Sequence, residues 1–199
     1  LSLLRKDIDN IAQELLKMQE AGVPILWRPL HEASGGWFWW GAEGSEPYCK
    51  LYRYLYHTLT EEYGLNNLIW VWNGQAADWY PGDEYVDIIG VDIYAGEHEY
   101  SSQADAFLEA LSYSREYKMV VLSENGTMID PELSQRDRAM FGFFCTWSGE
   151  FVMQDGLRKK YSQQYTDLDM LQKVYDSPLI VTRDQLPELT AYPIREDAL

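Results

Sequence analysis

Cysteine is scarce in this chain of 199 residues. Cys49 and Cys145 are too few for a disulfide framework and are not spaced as a zinc motif. Cys145 falls in an apolar run and is expected to be a buried thiol; a bridge between the two cysteines stays open. Histidine is equally sparse. His31, His57 and His98 are not paired at metal spacing, and His31-Glu32 is not followed by the second histidine of a zinc-protease helix. Neither a metal nor a cofactor is expected. Basic residues are outnumbered, 16 Lys and Arg against 32 Asp and Glu, for a net charge of -16. Phosphate binding wants clustered cations, so nucleic acid is excluded as a partner, and polyanionic substrates fit poorly. A neutral polymer fits better. No apolar run approaches the roughly eighteen residues that a membrane helix requires. No glycine-rich loop follows a strand as in a nucleotide-binding open sheet.

Aromatic residues, by contrast, are plentiful, with eight Trp and fifteen Tyr. Tryptophan-rich loops favour flat, ring-shaped ligands. They concentrate in Trp27-Arg28-Pro29-Leu30-His31-Glu32-Ala33-Ser34-Gly35-Gly36-Trp37-Phe38-Trp39-Trp40-Gly41. The apolar run Val23–Trp27 ahead of it reads as a buried strand that delivers Glu32 to its end. Two glycines then free the backbone for a turn. An acid at a strand terminus beside flat aromatic faces suits a sugar-cleaving site. The acid can protonate a glycosidic oxygen, and the rings can stack on the C–H face of a pyranose. For Trp39, Trp40 and Trp79, substrate platform and loop packing both stay open.

The rest of the chain alternates helix and strand. Apolar residues at helical spacing predict an amphipathic helix from Leu3 to Gly22, with further helices over Leu51–Tyr63, Ala104–Tyr117 and Gln164–Tyr175. Strands are predicted over Leu68–Trp72, Val86–Tyr94, Met119–Leu122 and Phe141–Trp147. Such alternation signals a parallel sheet. Polar or aromatic groups gather at the strand ends: Glu32, Trp72-Asn73, Asp92 with Tyr94, Glu124 and Trp147. In a (β/α)8 TIM barrel that end carries the active site. Strict alternation puts Arg28, Leu30 and Glu32 on one face, Val120, Leu122 and Glu124 on one face, and Asp92 with Tyr94. Glu32 and Glu124 then meet across the barrel axis.

The Trp27–Gly41 stretch resembles the acid/base motif of glycoside hydrolase family 26, whose best-known members are endo-β-1,4-mannanases. Val121-Leu122-Ser123-Glu124-Asn125-Gly126 resembles the nucleophile segment of the same family. The resemblance implies retaining double displacement, with Glu124 as nucleophile and Glu32 as acid/base. It also implies that Tyr94 holds the nucleophile and that Trp37 and Trp147 contact the sugar. His31, Arg28 and Asp92 are expected as supporting groups, Trp72 and Trp40 as further substrate contacts, and Asn73 as either. The implied partner is a β-mannan. The resemblance extends to enzymes cleaving β-1,3-1,4-glucan or β-1,3-xylan, and a non-catalytic carbohydrate-binding barrel is the alternative from another class. A whole (β/α)8 barrel takes about 250 residues. Five strands are legible here and match the family's strands four to eight, so residues 1–199 are expected to be the C-terminal part of one catalytic domain. A polymer must be met outside the cell, so an extracellular or periplasmic location is expected. The residues leave the oligomeric state open.

Overall fold

The structure, a computed structural model, describes residues 2–154 and 160–187. Helix α1 (Ser2–Glu20) leads into β1 (Ile25–Trp27), followed by α2 (Ser45–His57), β2 (Leu68–Trp72), β3 (Ile88–Ile93), α3 (Ala104–Leu111), β4 (Met119–Asn125), α4 (Pro131–Asp137), β5 (Phe144–Thr146) and α5 (Leu168–Asp176). The five strands pair in sequence order, every neighbour parallel. They curl into an open half-barrel with the helices on the outer face.

The helices follow from their apolar spacing. Ile8, Ala12 and Leu15 of α1, and Tyr48, Tyr52 and Leu55 of α2, recur at i, i+4 and i+7 and are buried. They pack on Trp70, Trp72, Ile89, Val91, Val120 and Leu122, the outward-facing strand residues, in one continuous core. Capping fixes the later helices. Asp130 accepts from Glu132 N–H at 2.9 Å ahead of Pro131 in α4, and Asp167 accepts from Met170 N–H at 2.7 Å at the start of α5.

Several boundaries differ from the sequence pattern. The helix expected over Leu51–Tyr63 begins earlier, at Ser45, and its last stretch widens into a π-helical turn over Thr58–Glu62. The third helix stops at Leu111, and the last starts at Leu168, capped by Asp167, rather than at Gln164. Helix α4 has no counterpart among the expected elements. Cys145 is a correction: it is exposed and free, because Phe144 and Thr146 flank it on the opposite side of β5; Cys49 is buried and also free.

The inner face differs from the outer one. Leu26 pairs with Ile69, and Ile88 pairs with Met119. Leu26, Ile69 and Met119 are exposed there. Polar side chains replace apolar ones on this face only toward the C-terminal strand ends.

Candidate active site

The ends of β1 to β4 and the turn after β1 build one polar cluster. Arg28 follows the last residue of β1. Its Nη1 donates to Asn73 Oδ1 at 3.0 Å and to Asp92 Oδ2 at 3.1 Å, and its Nη2 donates to Glu124 Oε1. The second oxygen of Glu124 accepts from the Tyr94 hydroxyl at 2.5 Å. Glu124 is 4% exposed, so both its oxygens are held inside the protein. Charge-assisted donors of this kind are shorter and stronger than neutral ones.

Glu124 does not reach the cluster by regular alternation. Val91 pairs with Leu122 but Asp92 pairs with Glu124, so β4 carries one extra residue, Ser123. This bulge corrects the expectation that Val120, Leu122 and Glu124 share a face. Val120 and Leu122 lie in the outer core. Ser123 and Glu124 both turn inward, the first donating to Asp92 Oδ1 at 2.7 Å, the second accepting from Arg28.

Glu32 arrives by a second irregular route. The strand ends at Trp27, and both Leu30 (φ 54°) and Glu32 (φ 51°) are left-handed. Leu30 packs against the core instead of sharing a face with Arg28 and Glu32, which corrects that reading of the stretch. The turn is anchored from β2, because Glu32 N–H donates to Asn73 O at 2.7 Å and to Asn73 Oδ1 at 3.2 Å. The carboxylate accepts from Trp37 Nε1 at 3.2 Å. Gly35 is required beneath that indole, since a Cβ there would lie 1.9 Å from the ring. Oxygens of Glu32, Asp92 and Glu124 lie within 4.8 Å of one another. Three carboxylates that close could hold a cation, but the Arg28 guanidinium already bonds Asp92 and Glu124.

The environment shifts three neighbours. Burial is the largest influence on Asp92 and pushes it up to about 6, with Glu124 and Glu32 adding to the rise against Ser123 and Arg28. Burial and the bond to Glu124 raise Tyr94 well above the phenol range. His31 is lowered, first by burial and then by the Arg28 charge. Its ring sits 4.8 Å from Phe38 and 5.7 Å from Trp40.

The aromatic expectations divide. Trp37 is 64% exposed and Trp147 47%, so both offer open ring surface. Trp72 is a correction. It is wholly buried on the outer face, edge-on to Tyr80 and Tyr113, because the residue after it, Asn73, is the one that turns inward. Asn73 is also corrected as a substrate contact, being 0% exposed. Trp40 is corrected too: its N–H goes to His31 O at 2.8 Å and its ring stacks on Phe38 at 4.4 Å, so it packs the loop. Trp79 packs on Tyr48 at 5.3 Å, whereas Trp39 stays exposed.

Three contributors escaped the sequence pattern. Ser123 was visible only as a neighbour of Glu124. Gln75 accepts from Asp92 N–H at 3.1 Å, and Phe151 lies 5.3 Å from the Tyr94 ring. Gly126 permits that last contact, since a Cβ there would stand 2.7 Å from Phe151. Nothing in the spacing of these residues marked them.

Known proteins resemble this chain in sequence and in fold. The model of glycosyl hydrolase family 26 matches residues 1–185. A mannan endo-1,4-beta-mannosidase of Thermothelomyces thermophilus is 40% identical over 186 residues, 93% of this chain and 36% of that protein. The crystal structure of a Podospora anserina GH26-CBM35 beta-(1,4)-mannanase superposes with a TM-score of 0.84 at 41% identity, covering 92% of this chain and 39% of that one. A beta-mannanase from a symbiotic protist of the termite Reticulitermes speratus, complexed with gluco-manno-oligosaccharide, gives 0.82 at 39% identity, covering 92% and 55%. The chain therefore spans about a third to a half of the length of these relatives. Its five strands fit part of a (β/α)8 barrel.

Proposed function

The chain belongs to glycosyl hydrolase family 26, and on that premise we propose that it is the C-terminal part of a retaining endo-β-1,4-mannanase catalytic domain. The observation that carries the reading is the approach of Glu32 and Glu124 oxygens to within 4.8 Å, with Glu124 clamped and Glu32 open to the aromatic loop. Retaining glycosidases hold their two carboxyls about 5–5.5 Å apart, whereas inverting ones need about 6.5–9.5 Å to admit a water.

In the first step a Glu124 oxygen attacks the anomeric carbon of the bound mannosyl unit, and Glu32 gives its proton to the departing glycosidic oxygen. The shortened polymer leaves and a covalent glycosyl-enzyme remains. In the second step Glu32 takes a proton from water, whose oxygen attacks the same carbon and releases Glu124. Arg28 and Tyr94 fix the direction in which Glu124 presents its lone pairs. Trp37, bonded to Glu32 and largely exposed, supplies a ring face beside the scissile bond. Trp147 supplies another. The site of action is extracellular or periplasmic, because a polysaccharide does not enter the cell intact.

The test is product analysis with the full-length protein on β-mannan, lichenan and β-1,3-xylan, following anomeric configuration by NMR. Endo-cleavage of mannan with β-configured first products is expected. Preferential cleavage of lichenan or xylan would reassign the substrate, α-configured first products would end the retaining mechanism, and binding without cleavage would favour a carbohydrate-binding protein.

A further inference from the structure

Asn73 is a fully buried polar side chain that no substrate can touch, yet its oxygen serves two groups of the site and its nitrogen ties that oxygen to the neighbouring strands. Its Oδ1 accepts from Arg28 Nη1 at 3.0 Å and from Glu32 N–H at 3.2 Å. Its Nδ2 donates to Gly90 O at 2.9 Å and to Ser123 Oγ at 3.2 Å. An amide has two acceptor and two donor positions, so the pattern uses all four and fixes which end is oxygen. Ser123 Oγ passes the chain on, donating to Asp92 Oδ1 at 2.7 Å. Gly90 admits this meeting, since a Cβ there would lie 2.6 Å from Ser123 Oγ.

We infer that Asn73, with Ser123 behind it, is the positioning residue that sets the distance between the two carboxylates. The inference rests on the retaining reading given above. One oxygen ties the Glu32 backbone to the guanidinium that grips Glu124, so the acid and the nucleophile share a single reference point. The amide nitrogen pins that oxygen to β3 and to the bulge of β4. Glu32 needs such a hold, because its left-handed backbone belongs to no strand. A short hydroxyl or an apolar residue at position 73 could not bridge four partners, and an unmet donor or acceptor at this depth is destabilising. A misplacement of about 1 Å at a reacting group can lower a rate on the order of a hundredfold.

The test compares Asn73→Ala with the parent full-length protein on two substrates. Mannan has a poor leaving group and needs the proton from Glu32, whereas a dinitrophenyl β-mannobioside does not need it in the first step. The expected result is a kcat/KM on mannan reduced about a hundredfold, carried by kcat with KM nearly unchanged. On the activated substrate kcat/KM should fall about tenfold less. Ser123→Ala leaves Asn73 its bond to Gly90 and should show the same selectivity at smaller amplitude; it carries the test if Asn73→Ala does not fold. Equal losses on both substrates, or a change confined to KM, would overturn the positioning role while leaving the retaining reading intact. A parent protein that cleaves no β-glycan would overturn both.

Discussion

Glu32 rides on a turn whose backbone is left-handed at Leu30 and Glu32, and among the described residues its carboxylate has a single side-chain partner, the Trp37 indole. Glu124 sits within β4, is almost wholly buried, and is gripped at both oxygens by Arg28 and Tyr94. The difference matches the work each group does under the proposed mechanism. A nucleophile is used once per cycle, from one direction, and benefits from complete immobilisation. An acid/base must face a departing sugar in one step and an incoming water in the next. It therefore needs a fixed backbone and an accessible head, which Asn73 and Trp37 provide.

The sharpest way to break this contrast is to remove each carboxylate in turn. Glu124→Ala should lower kcat on mannan on the order of 10⁶-fold, as loss of a nucleophile does elsewhere, while binding of unhydrolysed polysaccharide persists. A variant turning over mannan at the parent rate would displace Glu124 from its role. Glu32→Ala should lower mannan turnover by about 10²–10⁴-fold but leave the first step on an activated aryl substrate much closer to the parent. Equal losses on both substrates would remove the distinction between an open acid and a clamped nucleophile.

The smallest effect concerns the carboxylate between them. Asp92 is raised to about 6 chiefly by burial, against an ordinary 3.8. Between those values the folded protein holds a proton that the unfolded chain has lost, so stability falls as pH rises from about 4 to about 6. Asp92→Asn removes that titration. Its melting temperature should decline less over this window than the parent's, by a few degrees, given about 2–4 °C per kcal/mol for a domain of this size. Equal slopes would show that Asp92 is ionised throughout.

The contrast also explains what the sequence made legible. Helix–strand alternation and the strand-end position of each acid were readable, because periodicity in apolar residues survives without tertiary context. The parity of individual side chains was not. A rule of two assigns Glu124 to the side of Leu122, and only the pairing with β3 reveals that Ser123 is an added residue. The same rule extended β1 as far as Glu32, although the chain leaves the strand after Trp27. Trp72 and Asn73 differ for a related reason. Both stand at a strand end, and which one faces the cavity depends on the sheet's curl, not on either residue's chemistry. Helix α4 was missed despite its Asp130-Pro131 start, since at seven residues it is too short to display a period.

The bulge in β4 gives the cavity wall an uncommon density of polar groups. A regular strand would offer one inward side chain where this one offers two in succession, and both are taken: the hydroxyl by the scaffold, the carboxylate by chemistry. Trading the identities of positions 123 and 124 would keep an acid on the same side but lower it by one rung, beneath the reach of Tyr94. Moving it instead to 125 would turn it toward the Thr146 hydroxyl, where the Asn125 amide now donates. Reaction geometry in this wall is therefore indexed to one residue of backbone length, and chemical equivalence elsewhere on the strand is no substitute.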